Sequence, residues 1–432
     1  MNGARVGTWS LPARGPQEFS YDEAWLRSSQ FRPLSLSLPA GLGLTTLKGS
    51  AVESWFDNLL PDSDAIRRRA QARFQAASTS AFDLLAAIGR DCAGAVQLLP
   101  PEQEPSGIDR IEARPLSDQE IGQRLRTVTA APGPGSLGTD TDELRLSVAG
   151  AQEKTAFLWH NGDWCLPLGS TPTTHLFKLP MGIIGEGQID FSTSVENEWL
   201  CSRILHAFGL PVAPSQIDTF DAQRCLIVER FDRKLHPSGT YWLRLPTEDC
   251  CQATATPAAN KYENNGGPGM LAIAELLAQS SERNDLTTFF KAQVLFWMLR
   301  AIDGHAKNFS LFLNPGGRFQ LTPLYDVLSA WPVIGRRSGQ WPQQQLRMAM
   351  AWHGEKDRYT KPLEITARRM LLTTRRLGLG DTQPMLEDLI AQTPAVVAAV
   401  RAQLPTGFPA GVVDPVLLGL EASATQLQCQ LL

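Results

Sequence analysis

No stretch of these 432 residues stays apolar for long enough to span a bilayer, and the opening MNGARVGTWSLPARG lacks the apolar core of a secretion signal. The expectation is a cytoplasmic protein with no membrane partner. Cysteine is sparse: Cys92, Cys165, Cys201, Cys225, Cys250, Cys251 and Cys429 are odd in number and form no C-x-x-C pair, which argues against a zinc or dithiol site. Such usage fits a reducing compartment, with adjacent Cys250 and Cys251 read as buried structural thiols rather than a redox switch. The histidines show no metal-ligand spacing, and neither a G-x-S-x-G nor a serine paired with a nearby histidine is present, so zinc chemistry and serine hydrolysis drop out. Charge of one sign is missing too. Interspersed acids and bases leave a formal net charge of −4, so no chain-wide field draws the protein to nucleic acid or membrane. The length exceeds the usual size of one hydrophobic core and predicts two or three structural units.

What is present is a change of texture along the chain. AVESWFDNLLPD reads as a helix stopped at Pro61-Asp62, and DAIRRRAQARF as a second whose arginines line a solvated face. AFDLLAAIGRDCAGAVQLLP predicts a helix ending at Gly89, a turn and a short apolar strand. Pro and Gly clusters between residues 100 and 141, Pro132-Gly133-Pro134-Gly135 among them, flank one polar helix and mark a linker. Beyond it, LRLSVAGAQEKTAFLWHNGDWCLPL alternates like strands around Asn161-Gly162, a hairpin signal. THLFKLP and RCLIVERF are further strands separated by a helix over residues 195–208, and helices dominate residues 272–303 and the chain from Thr366 onward. A strand-rich lobe is followed by a helix-rich lobe, an α+β organisation.

The most informative string is AIDGHAKNFSLFLNPGGRFQLTPLYDVLSA. Asp303 and Asn308 stand at the separation of the base and the metal-binding amide of the protein-kinase string H-R-D-x-x-x-x-N, with Asp326 following as a second metal ligand. FSLFL and RFQLTPL are expected to pair through a turn at Asn314-Pro315-Gly316-Gly317, returning Asp326 toward Asn308. Magnesium favours hard oxygen donors and keeps waters and phosphates in its other positions, so an amide oxygen and a carboxylate suffice. Asp303 is left to take the proton of an incoming hydroxyl. Asp and Asn also cap turns, the plainer role for an isolated D-x-x-x-x-N, and the downstream Asp326 tips the reading toward chemistry.

Upstream, Lys178 lies in an alternating apolar strand, where a lysine facing a cleft calls for an anion such as nucleotide phosphate; Glu196 or Glu198 of the next helix would orient it. SVAGAQEKT resembles a Walker A loop but fails its test, because Glu153 stands where the second glycine must precede the lysine. Gly150 between alanines can still bring backbone N–H groups close to phosphate. RCLIVERFDRK reads as a crossing between lobes whose backbone can bond adenine.

With these residues assembled, the chain resembles the HipA-type serine/threonine protein kinase toxins of HipBA toxin–antitoxin modules. The likeness runs from RPLSLSLP, WFDNLLPDS and FDLLAAIGRD through SVAGAQEKTAFL, TPTTHLFKLP, VERFDR, YENNGGPG, DGHAKNFS and LTPLYDVLSA. It implies a protein-kinase-like two-lobed fold with an extra N-terminal subdomain: residues 1–140 as that subdomain and linker, 141–235 as the ATP-binding lobe and 236–432 as the helix-rich catalytic lobe. It implies ATP and Mg2+ as cofactors, a phosphate loop of Ala149, Gly150, Ala151, Gln152, Glu153 and Lys154, and a nucleotide contact at Lys178. Adenine contacts fall on Glu229, Arg230 and Phe231, a phosphate contact on His305, catalysis on Asp303, and metal ligation on Asn308 and Asp326. Ser147 matches the autophosphorylated serine that switches such kinases off. The implied substrate is an aminoacyl-tRNA synthetase, and the implied partner a HipB-like antitoxin that carries the kinase to operator DNA as a co-repressor. Arg368 and Arg369 fall near the family's DNA-touching residues, although a solvated helix face is the favoured reading for them. Family members carry a strand before the stretch matching MNGARVG, so either that strand is shortened or the start lies elsewhere. Two other readings stay open: a mainly DNA-bound corepressor with weak or silent kinase activity, and a small-molecule kinase on the same scaffold.

Overall fold

The computed structural model describes residues 1–41, 43, 45–129, 146–147, 149–150, 152–185 and 188–432. Pro132-Gly133-Pro134-Gly135, the boundary at 140/141 and Ala151 lie outside the described residues. The chain divides into two compact units, the first made of Met1–Leu179, Asp218–Lys261 and Ser310–Phe319, the second of Pro180–Ile217, Tyr262–Phe309 and Gln320–Leu432.

The first unit opens with a three-stranded antiparallel sheet, Gly7–Ser10, Glu18–Tyr21 and Thr46–Lys48 in that order. The helix Ser50–Asp57 packs Trp55 and Phe56 into one core with Leu84, Leu85 and Ile88 of the helix Ala81–Ile88. Ser80 caps that second helix by accepting from the Asp83 N–H, and the helix stops at Gly89 as expected. Between them Asp64–Phe74 buries none of its residues. Of its arginines only Arg68 is exposed; the half-buried Arg67 and Arg69 make ion pairs instead of a solvated face, Arg67 with Asp57 at 2.6 Å and Arg69 with Glu153.

Five neighbouring strands of the six-stranded sheet run Gln223–Glu229, His175–Lys178, Lys154–His160, Asp163–Pro167 and Ala113–Pro115. Phe157, Leu166, Phe177 and Ile227 of these strands pack against Ile121 and Leu125 of the helix Asp118–Thr129. The hairpin between Lys154–His160 and Asp163–Pro167 turns on Asn161 and Gly162, both at positive φ (53° and 90°), the type I′ pattern that Asn-Gly favours. The hairpin expected after Ser310–Leu313 is also present: the Asn314 N–H donates to Arg318 O at 2.7 Å, with Gly316 and Gly317 at positive φ.

The apolar strand expected in AVQLLP is absent. Asp91–Cys92 forms the strand instead, paired in parallel with Leu146–Ser147, and the chain then turns at Gly94, whose N–H donates to the Asp232 carboxylate at 2.6 Å. A buried charge network fixes this choice. Asp91 receives Arg230, Arg233 and Arg244, and Asp232 receives Arg230 and Arg233, all at 2.9–3.3 Å and nearly without solvent. Burial pushes the Asp91 carboxyl upward, but the three guanidinium groups outweigh it and hold Asp91 below the usual carboxylate range.

The second unit is mainly helical, with Ser194–Ala207, Met270–Leu277, Asp285–Leu299, Ala367–Arg376, Gln383–Ala402 and Ala410–Leu431. Asp285–Leu299 is apolar nearly all round over its second half, Val294 to Leu299, and is buried there accordingly. It ends at Arg300, in the left-handed region (φ 52°), whose guanidinium lies between the rings of Trp297 and Trp331 at 4.6 and 4.9 Å. That cap leads into residues 301–308, a mostly buried segment in which Asp303 is exposed. Among the described residues no helix is long and apolar enough to cross a membrane.

Candidate active site

Asp303 follows the capped end of Asp285–Leu299 and is exposed. Gly304 is required beside it, because a Cβ there would fall 2.5 Å from the Phe296 ring. The Asp303 carboxylate accepts a hydrogen bond from the Tyr262 hydroxyl at 2.6 Å. A short 3₁₀ turn, Ala306–Asn308, then carries Asn308 back over the same residue. Its side-chain N–H groups donate to the backbone carbonyls of Asp303 at 3.1 Å and Asp326 at 3.3 Å. One amide thus ties the backbone of Asp303 to that of Asp326 and leaves its own oxygen available to a cation.

Asp326 sits at φ 60°, a left-handed conformation that costs a non-glycine residue about 1–3 kcal/mol and persists only where its surroundings impose it. They do so on both sides. Leu324 exchanges backbone hydrogen bonds with 211–213, the Leu324 N–H to Pro211 O at 2.8 Å and the Ala213 N–H to Leu324 O at 2.9 Å. The Tyr325 hydroxyl donates to Lys307 O at 2.8 Å. The Asn197 amide donates to Ser329 O at 2.7 Å and accepts from the Ser329 N–H at 2.8 Å. His305 is buried with its ring edge-on to Tyr262, 5.0 Å between centroids. Among the described residues no cluster of three or more His, Cys, Asp or Glu side chains is placed to hold a metal. The donor set of Asn308 and Asp326 is hard oxygen and small in number, which fits a cation completed by phosphate and water.

In the first unit, Lys154 and Lys178 are direct cross-strand partners in antiparallel strands, so two cationic side chains leave one face of the sheet side by side. Lys178 is buried, and the Lys154 ammonium donates to Ala149 O at 2.5 Å. Gly150 sits at φ 113°, a conformation that favours glycine, and a Cβ there would push the tip of the Lys154 side chain aside. The same loop is anchored elsewhere: the Asp62 N–H donates to Gly150 O at 3.1 Å, the Gln152 amide donates to Leu179 O at 2.6 Å, and Glu153 pairs with Arg69. Ser147 is fully buried, its hydroxyl donating to Leu59 O at 2.9 Å.

Other expected site residues are engaged differently. The Arg230 side chain is enclosed in the Asp91 network and its N–H donates to Thr174 O, so it is a core residue and the exposed Glu229 and the half-buried Phe231 remain as adenine candidates. Phe231 meets Phe312 edge-on at 5.8 Å. Arg368 pairs with Glu355 at 3.0 Å on the surface, and Arg369 lies over the Tyr359 ring while donating to Glu364 O. Glu196 and Glu198 are both buried in Ser194–Ala207. Tyr262 and Asn197 were not singled out from sequence; Tyr262 belongs to the YENNGGPG string, but its contact with Asp303 spans 41 residues.

Family models place the chain clearly. Residues 1–99 match the HipA N-terminal domain and residues 146–400 the HipA-like C-terminal domain. A putative kinase of Sinorhizobium fredii, Y4mE, is 35% identical over 343 residues, covering 77% of each chain. The serine/threonine-protein kinase toxin HipA of Shewanella oneidensis is 27% identical over 402 residues, 89% of this chain and 84% of that one. The fold matches the Shewanella HipA solved in complex with HipB and operator DNA, with a TM-score of 0.78 at 23% identity over 99% of this chain and 96% of that one. With two family domains, a kinase-like α+β fold and kinase relatives over most of its length, the chain belongs to the HipA family of serine/threonine protein kinases.

Proposed function

We propose that the chain is an ATP- and Mg2+-dependent protein kinase and the toxin of a type II toxin–antitoxin module. The observation that carries the reading is the Asn308 amide bonded to both the Asp303 and Asp326 carbonyls. Asp303 takes the proton of a serine or threonine hydroxyl, and Tyr262 holds that carboxylate in place. Asn308 and Asp326 would hold the magnesium ion, which supplies charge neutralisation on the transferred phosphoryl group. Lys154, Lys178 and the Gly150 loop supply cations and backbone donors for phosphate, with His305 as a further phosphate contact. Glu229 and Phe231 offer backbone to adenine.

The partner is a HipB-like antitoxin that brings the kinase to operator DNA for co-repression, as the complex solved for the Shewanella relative supports. The substrate is an aminoacyl-tRNA synthetase and the setting the cytoplasm. Ser147 is the self-phosphorylation site. Its hydroxyl is buried against Leu59, so a phosphate of about −1.5 to −2 charges there is incompatible with the parallel pairing of Leu146–Ser147 with Asp91–Cys92 and forces the loop out. The test is phosphoproteomics soon after expression without antitoxin. New phosphoserine or phosphothreonine on one synthetase is expected; growth unaffected and no new phosphosite would leave a DNA-bound corepressor as the function.

A further inference from the structure

Within the second unit Asp303 and Tyr262 share the wall of a cavity of about 490 Å³. Its floor is apolar: Met181, Ile184, Phe191, Ile302, Leu328 and Met348 line it, several continuous with the buried cluster of Ile189, Phe191, Ala330 and Val333. The volume lies in the range of about 300–1,000 Å³ typical of ligand sites and far above the roughly 30 Å³ of one water. Asn264 and Asn265 are exposed at the margin, as is Arg347, which makes no ion pair or side-chain hydrogen bond among the described residues.

We propose that this cavity is the acceptor-side specificity pocket, taking a large apolar side chain one or two positions from the phosphorylated serine or threonine, with an acidic residue of the same substrate segment meeting Arg347. The inference rests on the kinase reading above. A hydroxyl that Asp303 deprotonates must come within about 2.6–3.2 Å of its carboxylate. Consecutive Cα atoms are about 3.8 Å apart, so the flanking side chains of that segment fall in the space the cavity occupies. The lining rewards a side chain that sheds water there. Full burial of a Leu, Met or Phe side chain corresponds to about ten- to a hundredfold in kcat/KM. At the margin, Arg347, which has no acid of its own among the described residues, sets the sign of the charge that fits. Asn264 and Asn265 supply amide groups for the backbone of an extended segment, whose N–H and C=O groups need partners as water leaves.

The full chain is incubated with Mg-ATP and a phosphatase-treated, desalted bacterial lysate, and phosphorylated sites are mapped by mass spectrometry. A large apolar residue at one fixed offset within two positions of the acceptor is expected, with an acid beyond it. In the strongest protein substrate, replacing that apolar residue by Ala lowers kcat/KM at least tenfold. Changing its acid to Lys lowers kcat/KM severalfold, and the Arg347→Glu kinase restores that loss. Sites without a shared apolar neighbour, or an Ala replacement costing less than twofold, overturn the pocket while leaving the kinase in place. No phosphate on any protein overturns both.

Discussion

Replacing Tyr262 by Phe removes one hydroxyl and keeps the ring, including its edge contact with His305 at 5.0 Å. What disappears is the 2.6 Å hydrogen bond to the Asp303 carboxylate. Hydrogen bonds to charged groups contribute about 1.5–3 kcal/mol net. Asp303 is exposed, so water replaces part of the loss and the lower end applies, about 1.5 kcal/mol, or roughly tenfold in rate. The loss falls on kcat, because the carboxylate must be pointed at the acceptor hydroxyl when the proton moves, whereas Phe keeps the ring against His305. Steady-state phosphoryl transfer to a protein substrate should therefore show kcat down about tenfold with the KM for ATP unchanged. A kcat within twofold of the parent would refute the orienting role. A melting temperature lowered by several degrees together with the rate would assign Tyr262 to the fold instead.

Asp326→Asn deletes a charge beside the proposed cation and should raise the magnesium concentration needed for half-maximal ATP binding by tenfold or more; an unchanged magnesium titration counts against the site. Mass spectrometry after incubation with ATP should find phosphate on Ser147, and isolated phospho-Ser147 protein should lose ATP binding, so tight binding by that form would contradict loop release. Glu248 accepts from the Leu36 N–H at 2.9 Å and from the Trp55 indole at 3.2 Å, and burial pushes its carboxyl up to about 7 from an ordinary 4.5. The folded state thus holds this proton more tightly. Stability from Glu248 is complete below about pH 4.5 and is lost through about pH 7, on the order of 3 kcal/mol in all. Glu248→Gln should flatten the melting temperature over that window, and an identical slope in both proteins would show that another group is responsible.

How much of this was legible beforehand follows from distance along the chain. Asn161-Gly162 announced its turn because the two positive φ values are local properties of those residues. The closeness of Asp303, Asn308 and Asp326 was legible because a single loop, turn and return brings them together, so spacing stands for geometry. Arg230 was misread because its partner Asp91 lies 139 residues away, and nothing in RCLIVERF reveals that its arginine is the centre of a buried network. The missing AVQLLP strand has the same origin: apolar alternation proposed a strand, and the anchoring of Asp91 and Gly94 to distant charges placed the extended pair earlier. Tyr262 and Asn197 escaped notice for that reason too, since a tyrosine and an asparagine carry no local mark of the carboxylate or backbone they will meet.

Phosphoryl transfer from radiolabelled ATP to protein, measured side by side for the parent chain and Asp303→Gln at equal folded concentration, tests the catalytic assignment most directly. The amide cannot accept the hydroxyl proton, so transfer should fall by about 100- to 10,000-fold while ATP binding stays within a few-fold of the parent. Undiminished transfer by Asp303→Gln, or no transfer by the parent with magnesium present, would contradict it.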